Sequence, residues 1–100
     1  MAIYGPLTFD VTVSGGTGSF TFDGGGYYIL AICVKAPSAS HSYQYEMLDA
    51  DGFPIAGTRV AMTGNDVQRG RIEPVGTGNT FTFSGATDGN YSVRFRCDTF

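Results

Sequence analysis

Tyr27-Tyr28-Ile29-Leu30-Ala31-Ile32-Cys33-Val34 is apolar at every position. Near the other end of the chain, Tyr91-Ser92-Val93-Arg94-Phe95-Arg96-Cys97 is apolar at every second one. Side chains leave a β-strand on alternate faces, so each stretch divides into two sets at a period of two. Aligned on their tyrosines, Tyr27, Ile29, Ala31 and Cys33 match Tyr91, Val93, Phe95 and Cys97, and this shared face reads as core. On the opposite face the late stretch carries Ser92, Arg94 and Arg96, as water demands, whereas the early one carries Tyr28, Leu30, Ile32 and Val34. That second apolar face is expected to be covered, by another part of this chain or by another protein.

Working outward, Leu7, Phe9, Val11 and Val13 alternate with Thr8, Asp10 and Thr12, the pattern of a half-buried strand. Gly15 and Gly16 end it, a short strand follows around Phe20-Thr21-Phe22, and Gly24 to Gly26 read as a hairpin-like connection into Tyr27. Ala36 to Ser42 is a serine-rich loop announced by Pro37, and Tyr43 to Leu48 resumes as a strand. Asp49-Ala50-Asp51-Gly52 is a turn, because Asp side chains bond nearby amides and Gly accepts positive φ. Strands are then expected over Thr58 to Met62 and from Arg69 to Val75. The ending echoes the beginning: Gly76-Thr77-Gly78, Phe81-Thr82-Phe83 and Tyr91 repeat Gly16-Thr17-Gly18, Phe20-Thr21-Phe22 and Tyr27. The middle does not repeat, so two segments meeting one geometric demand explain the echo better than duplication. Helical periodicity is absent. About eight short strands punctuated by turns predict an all-β, antiparallel β-sandwich, immunoglobulin-like or jelly-roll-like, over residues 1–100 as one domain.

Hydrophobic residues are 42% of the chain and charged ones 15%, which supports a real core and argues against disorder. A net charge of −3 gives no general attraction to phosphate backbones, so nucleic acid is not an expected partner. Met1 to Leu7 lacks the basic and apolar stretches of a secretory signal, and no segment approaches the roughly twenty apolar residues of a membrane span. Synthesis in the cytoplasm is therefore expected, with no membrane partner. Cys33 and Cys97, at matching places in the two echoes, permit one disulfide across the core; without an export signal, buried reduced thiols are the favoured state.

Chemistry is thinly represented. Asp49 and Asp51 resemble the start of a calcium loop, yet the fifth and twelfth positions hold Phe53 and Val60 instead of oxygen ligands. The lone His41 has Ser40 and Ser42 beside it, and adjacent residues point apart, so no nucleophile–base pair follows from the sequence. No catalytic set and no cofactor is expected. Tyr43 and Tyr45, beside the serine loop, offer an aromatic platform of the kind that binds sugars, though alternating aromatics in a strand more often pack a core.

Two segments carry a resemblance. Asp49 to Val60 is similar to the D-x-D-G-x-P-V-x-G-x-x-V turn-and-strand of bacterial immunoglobulin-like and carboxypeptidase-regulatory-like sandwiches, and Asp88-Gly89-Asn90-Tyr91-Ser92-Val93 to their late corner. The glycine-rich residues 14 to 26 match neither. In size and composition, rich in Gly, Thr and Phe and poor in Lys, the chain also resembles the small accessory proteins of tailed-phage virions. That likeness implies a virion structural protein, made in the host cytoplasm, that docks in many copies on a symmetric particle. A capsid decoration (cement) protein, binding the major capsid protein or its own copies through Tyr28, Leu30, Ile32 and Val34 with Arg94 and Arg96 at the rim, is the leading expectation. A carbohydrate-binding or adhesin-type module using Tyr43 and Tyr45 is the alternative; a phage neck or tail accessory protein is a further one.

Overall fold

Eight runs of β-branched and aromatic residues, each closed by a turn, become eight strands: β1 (Leu7–Val13), β2 (Gly18–Phe22), β3 (Tyr27–Lys35), β4 (Ser42–Leu48), β5 (Pro54–Thr63), β6 (Asp66–Ile72), β7 (Asn79–Ser84) and β8 (Gly89–Thr99). The structure is a computed structural model and describes residues 5–74 and 76–100; Met1 to Tyr4 of the expected signal-free N-terminus and Val75, the expected end of the sixth strand, lie outside them. None of the described residues is helical. The expected strands are present, with β5 beginning earlier and β6 lying earlier than the residue pattern indicated.

The strands form two four-stranded antiparallel sheets, in the orders β1-β8-β3-β6 and β2-β7-β4-β5. Four of the pairings, β1 with β8, β2 with β7, β3 with β6 and β4 with β5, are those of one long ribbon folded back at the β4–β5 turn. Rolling that ribbon so that alternate pairs fall in alternate sheets gives a jelly roll. The sandwich is therefore all-β and antiparallel, as expected, and its strand order is the jelly-roll one. One local expectation is corrected: Gly24 to Gly26 do not make a hairpin, because β2 and β3 belong to different sheets and the glycines arch from one to the other. The β4–β5 turn is the hairpin. Asp49 Oδ1 accepts the backbone N–H groups of Asp51 and Phe53, each at 2.9 Å, and Gly52 takes φ 84° there.

The sequence echo has a structural counterpart. The Tyr27 hydroxyl donates to the Asp23 carbonyl at 2.6 Å and the Tyr91 hydroxyl to the Thr87 carbonyl at 2.7 Å, four residues upstream in both cases, in the manner of a tyrosine corner. The same arches are tied reciprocally. Asp23 Oδ1 accepts the Gly78 N–H and Asp88 Oδ1 the Gly16 N–H, both at 3.0 Å, while Gly24 donates to the Gly76 carbonyl and Ala86 to the Gly16 carbonyl. Each Gly-Thr-Gly turn is thus held by the Asp-containing arch of the other echo. Tyr27→Phe and Tyr91→Phe should each cost about 1 kcal/mol in urea denaturation. The two corners lie at opposite ends of the β3–β8 pair, so the double variant should lose the sum. A double variant no worse than either single one would show that the corners do not act independently.

Between the sheets, Phe9, Phe20, Phe81 and Tyr45 form a run of stacked rings with successive centroids 4.2, 5.1 and 4.9 Å apart. The packing around it corrects the reading of β3. Ile32 is fully buried at 0% exposure and Val34 at 2%, both in the core, while Leu30 is 46% exposed. The cause is a β-bulge. Ile29 pairs with Cys97 and Ala31 with Arg96, so Leu30 is an extra residue with no partner of its own on β8. One added residue reverses the alternation. Tyr27 and Ile29 face inward before the bulge; Ile32 and Val34 face inward after it, opposite Phe95 and Val93. The same shift puts Cys33 outside, opposite Arg94, while Cys97 stays inside. The two thiols thus leave opposite faces of one sheet and are free, as favoured over the possible disulfide, but only Cys97 is buried as expected; Cys33 is partly exposed.

Candidate functional site

With Ile32 and Val34 inside, the outer face of the β1-β8-β3-β6 sheet is built differently from the face the sequence outlined. It presents Tyr28, Leu30, Ala31, Cys33 and Lys35 from β3, Ser92, Arg94 and Arg96 from β8, and Val67, Arg69 and Arg71 from β6. Of the expected interface residues, Tyr28, Leu30, Arg94 and Arg96 stand together on this surface, and Ile32 and Val34 do not. Val67, 48% exposed, belongs to the face and was missed because no alternation marks its strand.

Register explains the shape of this surface. Ala31 sits between Arg96 of β8 and Arg69 of β6, and Cys33 between Arg94 and Val67. Small side chains on the middle strand flanked by longer ones leave a trough of about 480 Å³, which reaches Thr8 on one side and Asn65 and Asp66 on the other. Arg94 Nε donates to Thr8 Oγ1 at 3.1 Å, which fixes one bank. Outside the trough, towards the other end of β3, Arg71 lies over the Tyr28 ring, 4.1 Å from its centroid, and pairs with Glu73 at 2.8 Å. Asp66 lines the trough and is already engaged: it binds Arg59 at 3.1 Å and accepts the Tyr45 hydroxyl at 3.3 Å. That network joins β4 and β5 of one sheet to β6 of the other.

The outer face of the second sheet is a different surface. Ser19 and Thr21 of β2, Thr80, Thr82 and Ser84 of β7, and Gln44 and Glu46 of β4 cover most of it, with one charge among them, and Gln44 bonds Ser84 at 2.9 Å. The edge strand β5 adds Thr58, which bonds Glu46 at 3.4 Å, and Val60, 55% exposed. One side of the sandwich is cationic; the other is hydroxyl-rich across β2, β7 and β4.

The remaining candidates resolve on geometry. Tyr43 and Tyr45, the proposed sugar platform, are 2% and 1% exposed and pack among Phe81, Phe83 and Tyr91. That is a correction: their alternation is the core alternation of β4, and only their hydroxyls reach polar partners. Asp49 is occupied by its own turn, and among the described residues no three His, Cys, Asp or Glu side chains converge as a metal-binding set. His41 does meet a serine, but it is Ser38, three residues back, with Oγ 2.6 Å from Nδ1. Its Nε2 lies 3.2 Å from the Asp88 carbonyl, so Nε2–H donates there and Nδ1 accepts from Ser38. With His41 N–H on the Ser38 carbonyl and Gly64 N–H on the His41 carbonyl, these bonds fasten the serine loop to the Asp88 corner. Their role is to clamp the loop. A three-residue spacing in a loop carries no pattern by which the sequence could have shown it.

Among the described residues no helix is long and apolar enough to cross a membrane. No protein-family model matches the chain, and no curated protein matches it either.

Proposed function

We propose that this chain is a non-enzymatic structural protein that docks on a symmetric particle, of the capsid decoration type, through the outer face of the β1-β8-β3-β6 sheet. The observation that carries the reading is the contrast between its two surfaces. Half-exposed Leu30 and Val67 lie among a cluster of cations on one side, whereas on the other β2, β7 and β4 present hydroxyls and a single charge, Glu46. Apolar groups interspersed with arginine suit a protein contact, and a neutral hydroxyl-covered surface suits water. Completing the burial of Leu30 and Val67 contributes about 1 kcal/mol each, a weak term that many copies on one particle reinforce.

Expressed with the genes that flank its own, the chain should sediment with assembled particles in multiple copies. Leu30→Asp with Val67→Asp should return it to the top of the gradient as a folded monomer. A wild-type chain that stays at the top while complete particles form below it refutes the docking role.

A further inference from the structure

Lys35, Arg69, Arg71, Arg94 and Arg96 are five of the six cations of a chain whose net charge is −3, and all five lie on one sheet face. Among the described residues the ion pairs are Arg59–Asp66 and Arg71–Glu73, so Lys35, Arg69, Arg94 and Arg96 are left without a carboxylate. The nearby acids are engaged elsewhere: Asp10 accepts the Ser92 hydroxyl at 2.9 Å, and Asp98 accepts the Thr99 N–H at 2.8 Å. Like charges gathered on one face repel, so this concentration lowers stability unless something anionic meets it.

We infer that the trough over Cys33 and Lys35 receives an extended acidic segment of a partner protein. This rests on the docking role for the existence of a partner and adds the partner's chemistry. Arg94 and Arg96 project from one face of β8 at a spacing of two residues, about 6.5–7 Å. Side chains i and i+2 of an extended peptide have the same spacing. A segment lying along β3 with carboxylates at alternate positions therefore meets Arg94 and Arg96 on one bank, where the planar guanidinium fork suits a carboxylate. Val67 on the other bank gives its apolar positions a surface, which Arg69 and Leu30 continue beyond the end of the trough. Among the described residues no aromatic side chain lines the trough itself, which distinguishes it from a groove for single-stranded nucleic acid, where stacking rings alternate with cations.

The test is titration of the full chain with a short capped peptide carrying Glu at alternate positions and Leu between them. A peptide of the same composition with its glutamates contiguous and a single-stranded oligonucleotide serve as controls. Saturable binding of the alternating peptide, weakened by salt and reduced at least about tenfold in Arg94→Glu/Arg96→Glu, is the expected result. Equal binding by that variant, no binding at millimolar peptide, or tighter binding of the oligonucleotide overturns the inference. So does wild-type self-association that the charge reversal abolishes, since the trough then serves a second copy. Particle sedimentation separates the two claims. If Arg94→Glu/Arg96→Glu still sediments with particles while Leu30→Asp/Val67→Asp does not, the acidic segment falls and the docking role stands. If the peptide binds the trough but the wild-type chain never joins a particle, the reverse holds.

Discussion

Ile32→Asp should leave the chain unfolded in water at room temperature, whereas Leu30→Asp, two positions earlier, should leave it folded. Ile32 is fully buried opposite Phe95, and its loss alone costs about 2–5 kcal/mol before the expense of enclosing a carboxylate without a partner. The sum rivals the roughly 5–15 kcal/mol that holds a domain of this kind together. Leu30 is nearly half exposed on the bulge, and a polar side chain there changes stability by about 1 kcal/mol or less. Circular dichroism and urea denaturation of the two variants decide the matter. Under unbroken alternation Leu30 and Ile32 would share a face and respond alike, so equal responses would remove the bulge and, with it, the assignment of Cys33 to the outer surface.

A second large effect is expected in alkali. Burial pushes the Tyr43 hydroxyl up to about 12 from 10.0, with the Asp66 carboxylate adding to it, and burial pushes the Cys97 thiol up to about 11 from 9.0. Tyr45 is raised for the same two reasons. In each case the native state holds its proton more tightly than the unfolded chain does. The stabilisation is therefore complete at neutral pH, begins to decline as pH passes 9.0, where unfolded Cys97 ionises, and is lost by about 12. At about 1.4 kcal/mol per pH unit of difference, these groups together remove several kcal/mol. The urea midpoint should hold level to about that first value and then fall steeply. Cys97→Ala should flatten the early part of the fall. A midpoint that stays constant through the alkaline range would contradict the burial of these groups in the working protein.

The two halves of the fold were unequally legible in the residues. Strands such as β1 and β8 have one wet face, and their alternation gives the inward set directly: Val11 and Val13, Tyr91, Val93, Phe95 and Cys97 are all buried. Tyr43 and Tyr45 fall on the core face of β4 by the same logic. β3 is apolar at every position from Tyr27 to Val34, so no alternation within that run signals that an extra residue has reversed it. Only its register against Phe95 and Val93 does so. Strand count likewise follows from turns, but strand order does not. The echo of Tyr27 and Tyr91 could be seen, and its meaning, two arches holding each other's glycine turns, needed the pairing. For the docking face, Tyr28, Leu30, Arg94 and Arg96 were readable, while Val67 and the trough depend on neighbours distant in sequence.

The long folded ribbon also sets the order in which the molecule can be made. β8, residues Gly89–Thr99, lies between β1 and β3, so the strand that closes the first sheet is the last of the eight to be synthesised. Until then the inward side chains of β1 and β3 have no middle strand to join them, and the nascent chain waits with its greasiest segment unmatched. Assembly of the sheet therefore waits for β8 and is governed by contacts between distant residues, which places it among β-proteins that fold in milliseconds to seconds. During that interval Tyr27 to Val34 is the stretch most in need of a chaperone.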